Sequence, residues 1–150
     1  ESPVRIKSIL SELDKTNLFF KVMPKKYSEK WIREVHSANF INYFKKVTLA
    51  MESGRTLYPD VFPIRKMVKP PKKLLSRAGY YCIDVYSPIN RNSYLAARGA
   101  VNCALTASDE ILEGTRIAYA LVRPPGHHAD TDSFGGFCYF NSTENRWNGN

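Results

Sequence analysis

Apolar side chains near the start of the chain recur at the spacing of an α-helix. Ile6, Ile9, Leu10 and Leu13 lie three or four residues apart, which places them on one face of a helix. Pro3 precedes this stretch, and its fixed backbone angle suits the first turn of a helix. The pattern therefore predicts a helix near the start of the sequence, with these four apolar side chains on one face.

A second long helix is predicted to begin near Ser37 and to end at Gly54, because glycine favours the left-handed turn that follows a helix. Its apolar positions repeat as expected for a helix with one buried face. Between the two helices, residues 18–22 are short and apolar, typical of a strand or a buried extended segment. Ser28 can cap a short helix through Val35. The apolar positions of the second long helix, which form a stripe along one face, are Phe40, Phe44, Val47 and Met51.

The rest of the chain predicts a long loop, a helix and a strand. Residues 55–92 are rich in proline and show little periodicity, so we expect an ordered loop region there. An alanine-rich helix is predicted from about Ser93 to Glu113, and Gly114 suits its end. Residues 117–122 are then all apolar, which is typical of a strand buried on both faces of a parallel sheet. Helix, turn and buried strand predict the α/β class.

The composition is consistent with the predicted α/β domain, and it narrows the compartment in which the protein is expected. The chain has 150 residues, which fits one domain, and its 43% hydrophobic and 24% charged residues are ordinary for a globular protein. No apolar run approaches the roughly 20 residues that cross a bilayer, and the first residues do not have the form of a signal peptide. Three cysteines without a C-x-x-C pair indicate a reducing compartment. We therefore expect a cytoplasmic protein that does not bind a membrane.

The net charge of +8 raises the question of an anionic partner such as nucleic acid. The basic residues occur in short, scattered runs, and no aromatic-rich nucleic-acid motif accompanies them. Solvated lysines explain such a charge more simply. Binding to nucleic acid stays open as a hypothesis, but the sequence does not favour it.

The candidate catalytic residues lie in the loop that follows the predicted strand. This loop reads R-P-P-G-H-H-A from Arg123. Ligands of open α/β sheets bind at the carboxyl ends of strands. His127 and His128 therefore stand where imidazoles can act as general base and general acid. One could take a proton from an attacking water, while the other, protonated, stabilises the oxyanion or the leaving amine. Each would need an orienting partner, commonly a carboxylate.

Adjacent histidines alone are a weak signal, but the longer string is specific. R-P-P-G-H-H-A, followed by G-G-F-C-Y-F-N up to Asn141, resembles the active-site segment of the zinc-dependent histone deacetylase and acetylpolyamine amidohydrolase family. The resemblance extends upstream to V-H-S at residues 35–37 and G-Y-Y-C at residues 79–82. The latter, with the alanine-rich helix, is similar to the acetylpolyamine amidohydrolase-like branch. Similarity covers about residues 1–141.

The resemblance implies a partial arginase/deacetylase-like fold, with helices around an incomplete parallel sheet. It also implies hydrolysis of the N-acetyl amide of lysine or of a polyamine. It matches His127 and His128 to the family's catalytic pair, and Gly136 and Phe137 to the walls of a narrow substrate channel. Tyr81 matches a residue at the rim of that channel. Members of the family use a zinc-bound water, and the metal polarises the carbonyl.

The resemblance does not extend to the residues that bind the metal. The family's zinc ligands follow the G-F-C segment as an aspartate-x-histidine pair and a distant aspartate, and this chain has no histidine after His128. No metal ligand is therefore expected in the chain as it stands, and the family's catalytic tyrosine is missing as well. We expect residues 1–141 to be the N-terminal portion of a deacetylase-like domain, and residues 142–150 to be a divergent polar tail. The interpretation that follows is a truncated member of the family, inactive alone.

Two alternatives remain. The chain could be part of an active zinc amidohydrolase seen as a fragment, or a non-enzymatic module that binds an anionic partner or oligomerises. An incomplete sheet would expose an edge or an apolar face at residues 117–122, so we expect a homodimer or a higher oligomer. Outside the motif, His36 is expected to be structural, and Asp130 and Asp132 to be solvated. Phe134 could be a second wall of the channel or a buried anchor of the loop, and the second interpretation is favoured.

Overall fold

A computed structural model describes residues 2–60 and 69–143 of the chain, and helices dominate this part. A 3₁₀ turn at Leu75–Arg77 leads directly into the short helix Ala78–Tyr81. The predicted polar tail lies outside the described residues from position 144 onward. The helices are α1 (Val4–Thr16), α2 (Lys30–Arg33), α3 (Ala38–Ala50), α4 (Ala78–Tyr81) and α5 (Ser93–Leu112).

The helices predicted from periodicity are confirmed, with local hydrogen bonds that explain their starts. Ser37 caps α3, since its hydroxyl accepts a hydrogen bond from the N–H of Phe40 at 3.2 Å. Ser28 accepts in the same way from the N–H of Lys30 at 3.2 Å, at the start of α2. After α5, Gly114 adopts a φ of 105°, which is the conformation expected of a glycine that ends a helix.

The predicted parallel sheet is not confirmed. Within residues 2–60 and 69–143, pairing is limited to isolated β-bridges. Residues 117–122 have no helical or strand assignment, because a strand exists only where a neighbour accepts and donates its backbone hydrogen bonds and no described segment pairs with this one. The bridges join Leu57 to Ile89, Cys82 to Phe134, Asp130 to Ser133, and Gly135 to Cys138.

The core is an aromatic cluster on the inner face of α3. The predicted stripe of α3 is buried along its whole length, and Phe44 lies at its centre. Its ring centroid lies 5.1 Å from that of Tyr139, 5.5 Å from that of Phe140 and 6.1 Å from that of Tyr94 on α5. Offset and edge-on contacts of this kind stabilise beyond the area that they bury. The core thus joins α3 and α5 to the segment that follows the histidine motif.

A charged network connects the short helix α2 to the two long helices. The carboxylate of Glu29, just before α2, accepts from the hydroxyl of Tyr94 at 2.8 Å and pairs with Arg33 and with Lys45 on α3. Burial raises the pKa of Glu29, but these hydrogen bonds outweigh it and lower the pKa to about 2. Glu29 is therefore ionised at neutral pH and holds the chain just before His36 against the core.

A large apolar groove lies on the other side of α5. Helix α1 buries none of its residues, and it borders this groove together with residues 18–22 and 117–121. The groove has a volume of about 630 Å³. Phe20 and Ile117 are 74% and 67% exposed there, so the apolar run that predicts a buried strand is open to solvent. In the described part of the chain, no helix combines the length and the hydropathy that a bilayer span requires.

Candidate active site

The histidine motif lies in a loop that is fixed at both ends by hydrogen bonds. The N–H of Ala129 donates to the carbonyl of Gly126 at 3.1 Å, which closes a turn around the two histidines. The N–H of Ser37, at the start of α3, donates to the carbonyl of Thr131 at 2.9 Å. The side-chain amide of Asn141 donates to the carbonyl of Ala129 at 3.1 Å. The loop is thus attached to α3 and to the segment that closes the core.

Gly126 is required by a close approach of backbone to backbone. A Cβ at this position would lie 2.5 Å from the backbone nitrogen of Ser142 and 2.7 Å from the carbonyl oxygen of Phe140. Neither atom can rotate away as a flexible side chain can. The glycine of the R-P-P-G-H-H-A string therefore permits the contact between the histidine loop and the end of the core segment.

The imidazoles of His127 and His128 lie side by side at the surface. Their ring centroids are 4.3 Å apart, and the ring planes are inclined by 54°. Both residues are exposed, so solvent and a small ligand can reach them. Within residues 2–60 and 69–143, neither ring has a hydrogen-bond partner, and the expected carboxylate partners are not found there. The geometry places two titratable nitrogen bases next to each other on a fixed loop.

The buried His36 supports this loop from behind. Its Nδ1 lies 2.7 Å from the carbonyl oxygen of Asp130, and its Nε2 lies 2.8 Å from the backbone nitrogen of Asn141. A carbonyl only accepts and an N–H only donates, so Nδ1 carries the proton and the ring is neutral. Burial lowers the pKa of His36, although the carbonyl contact opposes the shift. His36 is therefore structural, as expected, and it fixes both ends of the site segment.

Stability is expected to fall as the pH drops below about 6.5, because His36 must stay neutral in the folded protein. Its pKa is lower in the folded than in the unfolded chain, so only the unfolded chain takes up the proton between these two values. Urea unfolding between pH 7.5 and 5.5 measures the effect. A His36→Asn variant keeps a donor for the carbonyl of Asp130 and should show a weaker pH dependence. An identical slope in both proteins would rule out this role for His36.

A tight turn carries the predicted channel residues Gly136 and Phe137. Gly135 and Cys138 pair through two backbone hydrogen bonds of 3.0 Å and 2.9 Å, and the two central residues have φ values of 56° and 63°. Positive φ at both central positions is the signature of a type I′ turn. A phenylalanine rarely adopts this conformation, which costs about 1–2 kcal/mol for a residue with a Cβ. Strain of this kind is typical of functional segments.

The turn lies directly against the histidine pair. A Cβ added to Gly136 would lie 2.5 Å from Cδ2 of His128, so only a glycine leaves room for the ring. Phe137, the next residue, is 39% exposed. The structure therefore brings His127, His128, Gly136 and Phe137 into one segment of the surface, with the aromatic ring beside the glycine that contacts the imidazole.

The other site residues proposed from the sequence lie deeper. The ring of Tyr81 is 5% exposed and stacks on Tyr43 at 4.6 Å, so the geometry gives no support to a position at the channel rim, which stays a prediction. Tyr81 contacts the site segment through its carbonyl, which accepts from the N–H of Phe134 at 2.8 Å. Phe134 is fully buried and anchors the loop, as expected. The carboxylate of Asp132 is exposed and accepts from the hydroxyl of Ser37.

Two residues that sequence reasoning missed hold the turn in place. The carboxylate of Asp84 accepts from the N–H of Gly136, and the hydroxyl of Ser87 accepts from the N–H of Phe137 at 2.9 Å. Asp84 and Ser87 lie about fifty positions earlier in the chain. An aspartate followed three residues later by a serine indicates a local turn, but nothing in that pattern indicates a contact at this distance.

The described residues do not assemble a metal site. In residues 2–60 and 69–143, no group of three or more histidine, cysteine, aspartate or glutamate side chains is arranged to hold a metal ion. A catalytic zinc takes about three protein ligands, and the described side chains do not bring such a set together. These residues therefore do not make up a zinc site by themselves.

Comparison with known proteins identifies one family. The model of the histone deacetylase domain matches residues 1–144. Acetylpolyamine amidohydrolase 2 of Pseudomonas aeruginosa is 32% identical over 146 residues, which are 95% of this chain and 42% of the relative. The acetylpolyamine amidohydrolase of Mycoplana ramosa is 29% identical over 147 residues, with 95% of this chain and 43% of the relative covered.

A solved structure agrees with these sequence matches. The crystal structure of an acetylpolyamine aminohydrolase from Burkholderia pseudomallei superposes with a TM-score of 0.81 at 28% identity. The superposition covers 95% of this chain and 42% of that structure. The chain thus spans less than half the length of these relatives. The arrangement of helices and loops described above is the arrangement of the matching part of that fold.

Proposed function

Because the chain belongs to the histone deacetylase domain family, we propose that it carries the acid–base half of an amidohydrolase site for N-acetylated polyamines or N-acetyl-lysine. One observation carries this proposal. His127 and His128 lie with their ring centroids 4.3 Å apart, and the strained turn with Phe137 packs against the second of them. The relatives that match 95% of this chain are named as acetylpolyamine amidohydrolases.

The two imidazoles suit the proton transfers of amide hydrolysis. One neutral imidazole accepts a proton from the attacking water while the water oxygen forms a bond to the acetyl carbon. The other, protonated, donates to the amine nitrogen as the C–N bond breaks, so acetate and a free amine leave. Adjacent side chains on a fixed loop can reach both atoms of one amide without a large movement of the protein.

The substrate side of the site is formed by the turn. Phe137 presents a partly exposed ring, and an aromatic surface of this kind can bind the alkyl chain of lysine or of a polyamine and exclude water from it. The strained backbone at Phe137 fixes the direction of this ring. Gly136 leaves room for the imidazole of His128, because it has no side chain of its own. The turn therefore serves as the wall that brings the acetyl group to the histidines.

The 150 residues by themselves are proposed not to catalyse the reaction. Zinc supplies the family's activation of water and carbonyl, and the residues described here do not fit it. We expect no hydrolysis of acetylated polyamines or acetyl-lysine peptides by the purified chain with added zinc, above the level of its His127→Ala variant. Zinc-dependent hydrolysis that disappears in the variant would show that this chain assembles a metal site of its own.

We also propose that the chain, as 150 residues, associates with itself through the apolar groove. Apolar side chains as exposed as Phe20 and Ile117 form a surface that is costly in water. Light scattering at micromolar concentration should give at least a dimer, and Phe20→Glu should shift the protein towards a monomer. Leu49→Glu is the matched control, because Leu49 is 78% exposed and does not line the groove. A stable monomer of the unsubstituted chain would contradict the proposal.

A further inference from the structure

We propose that Asp84, together with Ser87, is a positioning residue that holds the strained turn of residues 135–138 against His128. This inference rests on the proposed function, since it concerns the geometry of the same site. It adds two residues that lie far from the histidine motif in sequence. Neither side chain is proposed to touch the substrate. Their role is to bind the backbone of the turn and to fix the distance between the aromatic wall and the histidines.

The turn presents two backbone donors that its own hairpin does not use. Gly135 and Cys138 satisfy each other across the hairpin, and the N–H groups of Gly136 and Phe137 point to other acceptors. Asp84 accepts the first of them and Ser87 accepts the second. Both donors of the strained pair are therefore bound by side chains from one short segment. A buried donor that is left without an acceptor destabilises the folded state, so these two contacts stabilise the turn in this conformation.

The segment around Asp84 is itself folded around the carboxylate. One carboxylate oxygen of Asp84 accepts from the N–H groups of Tyr86 and Ser87, each at 2.8 Å. The other accepts from the hydroxyl of Ser87 at 3.0 Å and from the N–H of Gly136. One oxygen thus closes the local turn, while the other connects it to the hairpin. Ser87 is completely buried, so this arrangement is fixed on the protein side.

The carboxylate of Asp84 is ionised in this arrangement. Burial raises its pKa, but the backbone N–H groups and the Ser87 hydroxyl that donate to it outweigh this effect and hold the pKa below its usual value. Hydrogen bonds to a charged acceptor are stronger than those between neutral groups. The charge therefore offsets part of the strain of the positive φ at Phe137, which otherwise favours a rearranged turn.

A rearranged turn would move the histidine. Gly136 is so close to His128 that there is no room for a Cβ between them, and a shift of the glycine backbone therefore changes the surroundings of the imidazole. Gly135 is similarly confined from the other side, where a Cβ would lie 2.2 Å from Cγ1 of Ile83. Ile83 directly precedes Asp84, so the same short segment both binds the turn and limits its movement.

Asp84→Asn tests this role with a small change. The asparagine oxygen can still accept from the N–H groups of Tyr86 and Ser87, but the amide nitrogen cannot accept from Gly136. Ser87→Ala removes the acceptor of Phe137 and serves as the second variant. Glu52→Gln is the matched control, because it removes a carboxylate charge at an exposed ion pair with Arg55, away from both the turn and the apolar groove.

The readout is nuclear magnetic resonance of the 150-residue chain, labelled at glycine, phenylalanine and histidine. In Asp84→Asn, we expect amide exchange at Gly136 at least about tenfold faster than in the unsubstituted chain, as the loss of a hydrogen bond to a charged group implies. The same increase is expected at Phe137 in Ser87→Ala. The ring signals of His128 should shift in both variants, whereas those of His36 should not. Glu52→Gln should leave all of these signals unchanged.

Two results would overturn the proposal. One is unchanged exchange at Gly136 and unchanged His128 signals in a folded Asp84→Asn. The other is an equal acceleration at every glycine, which indicates a general loss of stability rather than a role in the turn. If Asp84→Asn does not fold, Ser87→Ala decides by the same criteria. Because no substrate or metal is used, a failure here is distinct from a failure to observe hydrolysis.

Discussion

Replacing Gly126 with alanine is expected to remove most of the folding stability of this chain. The new Cβ would lie 2.5 Å from the backbone nitrogen of Ser142 and 2.7 Å from the carbonyl oxygen of Phe140. These are backbone atoms at the closure of the core, so the clash can be relieved only by separating the histidine loop from this segment. We expect a loss of about 3 kcal/mol or more in the free energy of unfolding, measured by urea denaturation.

A glycine-to-alanine substitution in α5 is expected to raise the free energy of unfolding instead of lowering it. Gly99 lies in the interior of α5, is exposed, and has no atom within 4 Å of the position of an added Cβ. Alanine at this position should raise the free energy of unfolding by about 1 kcal/mol, because alanine is the better helix former. A Gly126→Ala protein as stable as the unsubstituted chain would show that the loop does not contact residues 140–142 as described.

Replacing Phe44 with alanine is expected to destabilise the core by about 3–5 kcal/mol. Phe44 is fully buried at the centre of the aromatic cluster, where its ring contacts side chains from α5 and from the segment after the histidine loop. Its removal leaves a cavity lined by rigid rings, which cannot collapse easily. A marginally stable domain can lose its cooperative unfolding transition through a change of this size.

Leu49→Ala on the same helix is the control for this second prediction. Leu49 is 78% exposed, so its substitution should change the free energy of unfolding by less than about 0.5 kcal/mol. Thermal unfolding followed by circular dichroism compares the two variants directly. Similar midpoints for Phe44→Ala and Leu49→Ala would mean that α3 does not turn this face towards the core.

The helices of this fold could be predicted from sequence because their signals are local. The stripe from Phe40 to Met51 repeats every three or four residues, and Ser37 and Gly114 mark ends that depend only on nearby backbone groups. The strand at residues 117–122 could not be settled in this way. Its apolar run indicates burial, but a sheet also needs a neighbouring strand, and the described residues do not pair with it. The run lies beside the groove instead.

In the candidate site too, local signals can be predicted from sequence and contacts between distant positions cannot. The sequence predicts His127, His128, Gly136 and Phe137 as site residues because they lie in one short and specific string. It does not predict the support of the turn by Asp84, because that contact joins positions that are distant in the chain and meet only in the folded structure.

For the buried residues His36 and Tyr81, the sequence does not predict which groups their side chains contact. His36 was correctly expected to be structural, but its two hydrogen bonds to the site segment depend on packing. The position of Tyr81 in the G-Y-Y-C string likewise says nothing about the direction of its ring, which is 5% exposed.

The measurement that tests the catalytic role of the histidine pair most directly is hydrolysis by a fusion protein. Residues 1–141 of this chain would be joined to the part of the Pseudomonas aeruginosa amidohydrolase that follows its matched region. We expect zinc-dependent hydrolysis of acetylated polyamines, lowered about 10²–10⁴-fold by His127→Ala or by His128→Ala. A folded, zinc-loaded fusion that is inactive, or that is equally active in the histidine variants, would contradict the assignment of these residues.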